Sequence, residues 1–316
     1  MKKLALAAVS VAVLAVVLWP ASLPAVQPHS FVPLPTATTP LTVCWVDTGG
    51  LDAPARYGAA GLPTADAWHV TSAALLVRHP KGDVLIDAGL SPNAQHEANE
   101  LGAWKRFVFS QTAGRNQPRR SLTEALRQLG VTKLTAVILS HAHPDHMGGL
   151  VALRDAPVWL AAEEKTFIES GNTVVIPAHA RAVSGRMAAL NFERVPFANS
   201  DTRADVFGDG SVVVTPAFGH TPGSINTFIN APGGRLVHVG DLINLRESLT
   251  REVPKSFAMR MLTDEDVHAT SEQVARLVEL SKADPKLTIL PAHDRPGWSA
   301  LFGDDGLAGA PPCVQW

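Results

Sequence analysis

The chain contains the stretch Ser140-His141-Ala142-His143-Pro144-Asp145-His146-Met147-Gly148-Gly149, which decides the fold more than any other segment. The apolar run Ala136–Leu139 directly precedes it and predicts a buried strand. Three histidines and an aspartate therefore follow a strand within a few residues. Neutral imidazoles and a carboxylate suit zinc, with iron or manganese as alternatives. A solvated polar turn is the plain structural interpretation, but four such residues directly after a strand are rarely that.

Single side chains able to bind a metal also follow three other apolar runs. These are His220 after Val212–Thr215, Asp241 after Leu236–Val239, and His293 after Leu287–Leu290. A lone histidine after a strand is more often structural, and an aspartate after a glycine more often belongs to a turn. Taken with the first four residues, however, they predict one shared metal site at the ends of four strands.

The remaining pattern alternates strands with helices. Further strands are predicted at Leu41–Val46, Ala73–Val77, Val84–Ile86, Val158–Leu160 and Ile225–Ile229. A capping box at Ser121-Leu122-Thr123-Glu124 opens one helix, and Asp264–Ser281 predicts a second helix with one apolar face. This alternation in two halves of similar content indicates an α/β layered domain.

The composition limits the classes of function. The chain has 316 residues, of which 46% are hydrophobic and 18% charged, so it can form a large core and is not a disordered chain. Its formal net charge is -2, whereas nucleic-acid-binding surfaces are strongly basic. We therefore expect a small-molecule substrate and no nucleic-acid partner.

The N-terminus has the pattern of a bacterial secretory signal. Two lysines precede an apolar run that ends at Trp19, and small residues follow as far as Ala25. Leu23 fits the cleavage site poorly, so an uncleaved anchor in the inner membrane is the alternative. We expect residues 1–25 to be a signal peptide or anchor, residues 26–40 to form a proline-rich extended arm, and the protein to be periplasmic or secreted.

The sequence contains two cysteines, Cys44 and Cys313. In an oxidising compartment an even number favours a disulfide, which here would close almost the whole domain. Two buried free thiols are the alternative, and the residues alone do not decide between them. Neither cysteine lies near the histidine motifs, so we expect no cysteine ligand in the metal site.

Together these motifs resemble those of the metallo-β-lactamase superfamily of hydrolases. The resemblance rests on His141-x-His143-x-Asp145-His146, on Gly219–Ser224, on Gly240-Asp241, on His293, and on Asp87 in an Asp-x-Gly turn. It covers about Leu41 to Trp298 and is far more specific for the superfamily than for a substrate. It implies an αββα sandwich of two mixed sheets flanked by helices, with residues 41–316 forming a single metallo-hydrolase domain.

The resemblance also implies a site for two divalent metal ions, which we expect to be zinc. The first ion would be bound by His141, His143 and His220, the second by Asp145, His146 and His293, with Asp241 bridging the two. A hydroxide between the ions would be the nucleophile, since two Lewis acids lower the pKa of bound water. Asp145 would also take or relay a proton, which makes it the candidate catalytic residue. Asp87 and Ser224 are candidates for orienting the ligands, although a turn role is the plainer interpretation of each.

The bridging Asp241 narrows the choice of substrate. Secreted β-lactamases of the superfamily generally lack an aspartate there. The segment Leu290–Asp294 resembles the lactonase branch, which includes the acyl-homoserine lactonases, whereas Gly240–Leu245 also resembles the organophosphate hydrolases. Those lactonases often have a tyrosine three residues after the bridging aspartate, but here that residue is Asn244, which can donate a hydrogen bond and is not an acid. Tyr57 could substitute only if the fold brings it near.

We therefore predict a secreted hydrolase of lactones or related esters and keep two alternatives open. The same site could cleave a thioester, a β-lactam or an organophosphate, and the fold could also serve as a non-catalytic metal-binding module. Residues 91–120 bear on this choice, because they hold Trp104, Phe107 and Phe109 and are expected to form a loop or lid. An apolar lid would favour acyl-chain or aryl substrates. The identity of the metal and the oligomeric state stay open.

Overall fold

Two β-sheets packed face to face form the centre of the protein. The structure, a computed structural model, describes residues 22–26, 31–35, 38–171, 175–304, 307 and 309–316. The predicted signal peptide or anchor, residues 1–25, thus lies outside the described residues except for its last four positions. Among the helices that the structure describes, none combines the length and the hydropathy needed to cross a membrane.

Most strands are short, and they have the following bounds. They are β1 Thr42–Asp47, β2 Gly49–Gly50, β3 Asp52–Pro54, β4 Ala67–His69, β5 Ala73–His79, β6 Gly82–Ile86, β7 Gln117–Pro118, β8 Ala136–Ile138, β9 Val158–Leu160, β10 Met187–Ala189, β11 Ala204–Asp205, β12 Val212–Pro216, β13 Ile225–Ala231, β14 Gly234–His238, β15 Thr288–Leu290 and β16 Cys313–Gln315. The strands that matter for the site are β8, β12, β14 and β15, since the candidate ligands follow them.

The helices alternate with these strands. They are α1 Ala55–Gly58, α2 Ala94–Glu97, α3 Ala103–Gln111, α4 Leu122–Gln128, α5 Pro144–Met147, α6 Ala162–Glu169, α7 Pro177–Val183, α8 Glu247–Arg251, α9 Phe257–Thr263, α10 Val267–Ala283 and α11 Arg295–Phe302. Short 3₁₀ turns cover Ala98–Glu100, Ala113–Arg115 and Gly148–Val151.

Twelve of the described strands form two mixed sheets, and the other four form two small antiparallel pairs, β2 with β7 and β3 with β4. The larger has seven strands in the order β10-β9-β8-β6-β5-β1-β16, and the smaller has five in the order β11-β12-β13-β14-β15. In the larger sheet β6, β8, β9 and β10 run parallel, whereas β16, β1, β5 and β6 pair antiparallel. In the smaller sheet β14 and β15 pair parallel. The αββα class expected from the sequence is confirmed.

Side chains on β1 show how the layers are held together. Val43 and Trp45 point into the cluster between the sheets, while Cys44 and Val46 point into a second cluster under the helices of the outer layer. All four side chains are fully buried. Because successive residues of a strand face opposite sides, a strand buried on both faces has a continuous apolar sequence rather than an alternating one. This explains why short uninterrupted apolar runs predicted these strands correctly.

The segment 91–120 is helical, so the expected loop was wrong. It contains α2 and α3, and Phe109 packs with Leu90, Leu101 and Ile176 in a small buried cluster. The helical signal lies in Ala94, Ala98 and Leu101, which follow the 3.6-residue period and are buried. Two of the three are alanines, so the apolar face is too small to stand out in the sequence.

The predicted helix at Asp264–Ser281 also begins later than expected. It spans Val267–Ala283, and the Asp266 side chain caps it by accepting a hydrogen bond from the Ala269 backbone N–H. Aspartate is a preferred N-cap because its carboxylate satisfies a free backbone N–H of the first turn. This start leaves Asp264 outside the helix, where its side chain is used differently.

The described parts of the proline-rich arm are extended and lie against the smaller sheet. The Val32 N–H donates to the carbonyl of Ala198 at 2.9 Å, and Asn230 Nδ2 donates to the Pro35 carbonyl at 2.8 Å. Leu34 is buried with Phe197 and other residues beneath the outer helix layer. The arm is therefore packed onto the domain where it is described.

Cys44 and Cys313 form a disulfide that joins β1 to β16, where the two residues are direct partners in the strand register. The bond closes a segment with a sequence separation of 269 residues. Of the two possibilities that the sequence left open, the structure has the disulfide. It fixes the edge strand of the larger sheet.

Candidate metal centre

The motif from His141 to Gly149 turns sharply after β8 and packs directly against the turn after β6. His143 precedes α5, and Pro144 occupies the first helical position, where a missing N–H costs nothing. The two glycines of the motif are required by close packing. A Cβ on Gly148 would lie 2.4 Å from the Ser91 nitrogen, and one on Gly149 would lie 2.2 Å from the Ala88 oxygen.

The first group of candidate ligands consists of three histidines from two loops. The Nδ1 atom of His143 lies 3.1 Å from His141 Nε2 and 3.0 Å from His220 Nε2, and the two Nε2 atoms are 3.2 Å apart. All three rings are buried. Four ligands in a tetrahedron around a zinc ion have their atoms separated by about 3.3 Å. The three nitrogens therefore converge at the spacing that one metal ion requires.

The second group combines two histidines with Asp145. His146 Nε2 lies 3.3 Å from His293 Nε2, which lies 3.5 Å from Asp145 Oδ2. His146 is in α5, whereas His293 follows β15. Because β14 and β15 are parallel neighbours, the residues that follow them, Asp241 and His293, emerge at the same edge of the smaller sheet.

Asp241 lies between the two groups, and its carboxylate faces both. Its Oδ2 atom, which is 3.1 Å from His293 Nε2, also faces the first group. Its Oδ2 atom is 3.8 Å from His141 Nε2 and 3.6 Å from His220 Nε2. Its Oδ1 atom is 3.2 Å from His146 Nε2 and 3.0 Å from His293 Nε2. The structure thus brings together all seven residues that the sequence predicted as metal ligands, in two sets with Asp241 in contact with both.

Hydrogen bonds on the far side of the rings show which nitrogens are free to bind a cation. Nδ1 of His220 lies 2.7 Å from a carboxylate oxygen of Asp264, that of His146 lies 2.8 Å from Asp87, and that of His293 lies 2.7 Å from the Thr71 carbonyl. Carboxylate and carbonyl oxygens accept, so each Nδ1 donates a hydrogen to them, and each Nε2, which holds the lone pair of the neutral ring, faces the site. Lone pairs that face one another at about 3 Å fit a bound cation, so the residues present suit divalent metal ions.

The effect of the surrounding charges differs between the two ligand groups. Burial and the neighbouring imidazoles lower the pKa of His141 and His143 well below the usual value, which favours the neutral form that binds metals. Burial also lowers the pKa of His146, but the Asp241 and Asp87 carboxylates outweigh it and raise the pKa well above the usual value. Two buried carboxylates thus make this position attractive to positive charge.

The residues predicted to orient the ligands have different surroundings. Asp87 is fully buried and accepts hydrogen bonds from the Ser140 N–H, the Ser140 hydroxyl and the His146 ring. Ser224 instead hydrogen-bonds with Thr221, accepting from its backbone N–H at 2.9 Å, and so shapes the turn after His220. The contacts of Ser224 are those of a turn residue, whereas Asp87 combines a left-handed backbone, with φ 56°, and direct contact with a candidate ligand.

Four supporting side chains were missed by the sequence reasoning. They are Glu164, Asp264, Lys255 and Asn116, and all are largely or fully buried. Lys255 Nζ donates to Asp264 Oδ1 at 2.5 Å and to the Asp241 carbonyl at 2.8 Å, and Asn116 Nδ2 donates to Asp145 Oδ2 at 3.1 Å. No sequence motif marks them, because each comes from an irregular segment or a helix end. Asp264 lies in a run of acidic residues, a pattern that predicted the start of a helix there.

Glu164 has the most constrained environment of these four. It accepts hydrogen bonds from the backbone N–H groups of Ala142 and Gly223 and from the Thr221 hydroxyl, at distances of 2.6, 2.9 and 2.7 Å. Burial raises its pKa to about 7, although the three hydrogen bonds oppose this by stabilising the charged form. The polypeptide therefore keeps a carboxyl group in a place where its ionisation is costly.

A cavity of about 420 Å³ opens onto the two ligand groups. His143, Asp145, Asp241 and His293 contribute to one end of it. Most of the rest is apolar, including Leu51, Trp68, Val70, Phe107, Phe109 and Leu262. Asn244 and Tyr57 also line it, so the fold brings the only tyrosine of the sequence to the same cavity as the ligands. Asn244 is buried, and its amide oxygen has no hydrogen-bond partner.

The three aromatic residues of the expected lid have separate roles. Phe109 is buried and Phe107 is half exposed, and both line the cavity. Trp104 is 70% exposed and stacks on Phe107 with ring centroids 5.6 Å apart, but it does not line the cavity. Helix α3 thus forms a wall of the cavity, with Trp104 on its outer side.

Comparison with solved structures shows the same fold in several metal-dependent hydrolases. A mutant of AiiA from B. thuringiensis with N-decanoyl-L-homoserine at its active site has a TM-score of 0.62 and 18% identity, covering 84% of this chain and 97% of that one. AidC, a dizinc quorum-quenching lactonase in complex with a product, has a TM-score of 0.54 and 18% identity, covering 84% and 90%. A probable metal-dependent hydrolase from Staphylococcus aureus has a TM-score of 0.57 and 14% identity, covering 83% and 91%.

Sequence comparison adds the family. No curated protein sequence matches the chain. The family model for the metallo-beta-lactamase superfamily, however, matches residues 68–293, which include every candidate metal ligand. The match covers more than half of the chain and agrees with the sandwich fold and the histidine and aspartate groups. This chain belongs to the metallo-β-lactamase superfamily of hydrolases.

Proposed function

We propose that this protein is a secreted two-metal hydrolase that cleaves lactones or related esters with an apolar substituent. The observation that carries the proposal is the position of Asp241. Its carboxylate lies between two separate ligand groups, within 3.8 Å of His141 in one and 3.2 Å of His146 in the other, at the polar end of an apolar cavity. Such a site can bind a small ester with its carbonyl at the metals and its hydrocarbon part along the wall.

The proposed ligand sets are those in the two groups described above. His141, His143 and His220 would hold one ion, Asp145, His146 and His293 would hold the other, and Asp241 is placed to contribute to either. Two such ions, when bound, lower the pKa of water and polarise a carbonyl group. The buried carboxylates of Asp87 and Asp264 fix the histidine tautomers from behind, so the ligand nitrogens are oriented before a metal arrives.

Asp145 is the proposed proton carrier. Its carboxylate lines the cavity and lies next to His293, and Asn116 donates a hydrogen bond to its Oδ2 atom. Asn116 is itself held by contact with the Ser72 hydroxyl at 3.0 Å. The second carboxylate oxygen can therefore take a proton from attacking water and return it to the leaving alkoxide without rotation of the side chain.

Asn244 is the proposed partner of the substrate carbonyl or leaving group. Its side chain lines the same cavity as the ligands, where an amide N–H could donate to the substrate. An amide has two N–H donors and one acceptor, so it can hydrogen-bond an ester but cannot protonate the alkoxide. Tyr57 lines the same cavity and is the available phenol.

Export fits the covalent structure. Disulfides persist in oxidising compartments and are rare in the cytosol. The Cys44–Cys313 bond and the signal-like N-terminal sequence therefore support a periplasmic or secreted protein.

The experiment is a substrate panel with a pH indicator, since each hydrolysis releases a proton. The purified full-length protein is assayed with acyl-homoserine lactones, a simple γ-lactone, a glutathione thioester, a β-lactam and an organophosphate triester, with and without chelator. We expect chelator-sensitive turnover concentrated on the lactones. Turnover concentrated on another bond would keep the metal site and contradict the lactone assignment. No turnover from protein with two bound ions would favour a non-catalytic metal-binding module.

A further inference from the structure

Glu164 lies at the junction of the two loops that carry one group of proposed metal ligands. It is in the first turn of α6 and has no exposure to solvent. Its Oε1 atom accepts from the Ala142 N–H, and its Oε2 atom accepts from the Thr221 hydroxyl and the Gly223 N–H. None of these partners is a proposed metal ligand.

These partners lie next to the ligands of one metal group. Ala142 separates His141 from His143, in the loop that follows β8 of the larger sheet, and Thr221 follows His220, in the turn after β12 of the smaller sheet. The three nitrogens that converge on one point thus come from two sheets. A backbone hydrogen bond from the Ile225 N–H to the Ser140 carbonyl also joins the two loops, but it lies at the sheet end rather than beside the ligands.

The contact is also sterically tight. A Cβ on Gly223 would lie 2.2 Å from the Glu164 backbone nitrogen, so this turn packs directly onto the first turn of α6. The carboxylate therefore cannot shift away without moving the loops. A carboxylate can accept hydrogen bonds on both of its oxygens, from opposite directions. The three donors at this junction require such an acceptor.

Filling the buried space between the two loops would not by itself require a carboxyl group at Glu164. Burying a charged carboxyl group is unfavourable, and an apolar side chain of similar size would avoid that penalty. What an apolar residue could not do is satisfy two backbone N–H groups from different loops and so fix their separation.

We propose that Glu164 is a positioning residue that sets the separation of the loops carrying His141, His143 and His220, and thereby the affinity of that group for its metal ion. This inference rests on the proposed two-metal centre. Glu164 touches neither substrate nor metal in this arrangement and acts through the two loops. Its removal should weaken the binding of one of the two metal ions and leave the binding of the other unaffected.

The test is a metal-binding measurement on the full-length protein. Wild type, Glu164→Gln and the matched control Glu163→Gln are stripped of metal and titrated with zinc against a chelating dye. Glutamine offers one acceptor oxygen, so an N–H of its amide must face either the Ala142 N–H or the Gly223 N–H. We expect one of the two zinc ions to bind about 10- to 100-fold more weakly, which is the usual effect of changing a group that orients a metal ligand. Glu163 is exposed, in the same turn, and its variant should match wild type.

A milder variant guards against misfolding. Thr221→Val keeps the side-chain shape and removes one of the three hydrogen bonds to Glu164, so its effect on the same zinc ion should be smaller. Glu164 and Thr221 share that bond, so the loss of zinc-binding free energy in the double variant should not exceed the sum of the losses in the two single variants.

The outcomes distinguish a failure of the positioning role of Glu164 from a failure of the proposed metal centre. A folded Glu164→Gln protein that binds both ions as tightly as wild type would overturn the positioning role. So would a lower melting temperature with unchanged zinc affinity, which would mark a purely structural carboxylate. If Glu164→Gln does not fold, unchanged zinc affinity in Thr221→Val overturns it. Wild-type protein that fails to bind two ions would instead refute the proposed metal centre, and the inference with it.

Discussion

The floor and the wall of the cavity are built in opposite ways. On the floor, each candidate histidine is buried and several have a second hydrogen bond behind the ring, as His146 has with Asp87 and His220 with Asp264. On the wall, α3 presents Phe107 half exposed and Trp104 more exposed still, and these two rings stack on each other. The floor is held by directional bonds from two sheets, the wall by apolar contacts of a single helical segment.

The difference separates chemistry from selectivity. Atoms that must meet a metal ion within a few tenths of an ångström need directional support from outside the ligand set. A surface that only has to cover a hydrocarbon group needs area and tolerates variation. We therefore expect changes in the floor to act on metal content and turnover, and changes in the wall to act on KM.

The largest expected effect is from His141→Ala. This removes one of three converging nitrogens, so the count of bound metal should fall and hydrolysis should drop by about 10³-fold or more. Metal analysis and kcat/KM measure the two effects. The control is His268→Ala, an exposed histidine on α10. An unchanged metal count in His141→Ala would refute the ligand assignment.

Asp87→Asn should have the next largest effect. Asparagine tolerates the left-handed backbone, but its single amide oxygen cannot accept from both the Ser140 backbone N–H and the His146 ring, which bind different oxygens of Asp87. Zinc affinity should fall about 10- to 100-fold, the usual range when a residue that orients a metal ligand is changed. The KM for the substrate should change little. Asp66→Asn, at an exposed site, is the control. If KM changed and zinc affinity did not, the assignment of Asp87 to the floor would be wrong.

Changes in the wall should show the opposite pattern. Phe107→Ala should raise KM for long acyl substrates by about tenfold, since each buried methylene contributes roughly 0.8 kcal/mol, and should leave short substrates and zinc affinity unaffected. Trp104→Ala should act in the same direction but more weakly, because Trp104 reaches the cavity only through Phe107. Equal changes for long and short substrates in both variants would eliminate the wall as an acyl-binding surface.

The smallest effect concerns how the wall is attached. Burial alone would raise the pKa of Glu97 in α2, but the hydrogen bonds from His179 and Ser91 outweigh it and lower that pKa. A lowered pKa in the folded state means that the stabilisation is present above the unfolded-state value and is lost as the pH falls through the folded-state value. Glu97→Gln should thus reduce the melting temperature by a few degrees at pH 7 and less in acid. A difference that grew on acidification would contradict the sign of the pKa shift.

The floor could be predicted from the sequence for a physical reason. Its ligands follow buried strands, and strands buried on both faces appear as short apolar runs, so both the strands and the positions of His141, His220, Asp241 and His293 could be recognised. The residues behind the ligands could not. Asp264 and Glu164 act through three-dimensional contacts with segments far away in the chain, and nothing near them in sequence marks that role.

The wall was predicted least well. The helical period around Ala94 and Ala98 is carried by small side chains, which bury little area and leave a weak pattern. Segment 91–120 was therefore expected to be a loop or lid, although two of its three aromatic residues, Phe107 and Phe109, do line the cavity. Whether Trp104 or Phe107 would face the cavity depends on the rotation of α3, which the packing of Phe109 against Leu90 and Ile176 sets.

The disulfide between Cys44 and Cys313 has a consequence for how the chain matures. Cys44 is synthesised 269 residues before its partner, so its thiol must wait until the larger part of the domain has been made. The sequence holds two cysteines, so no wrong pairing within one molecule exists and no isomerase is needed to correct one. The errors that remain are disulfide bonds between two molecules, and their frequency depends on the concentration of newly made chains.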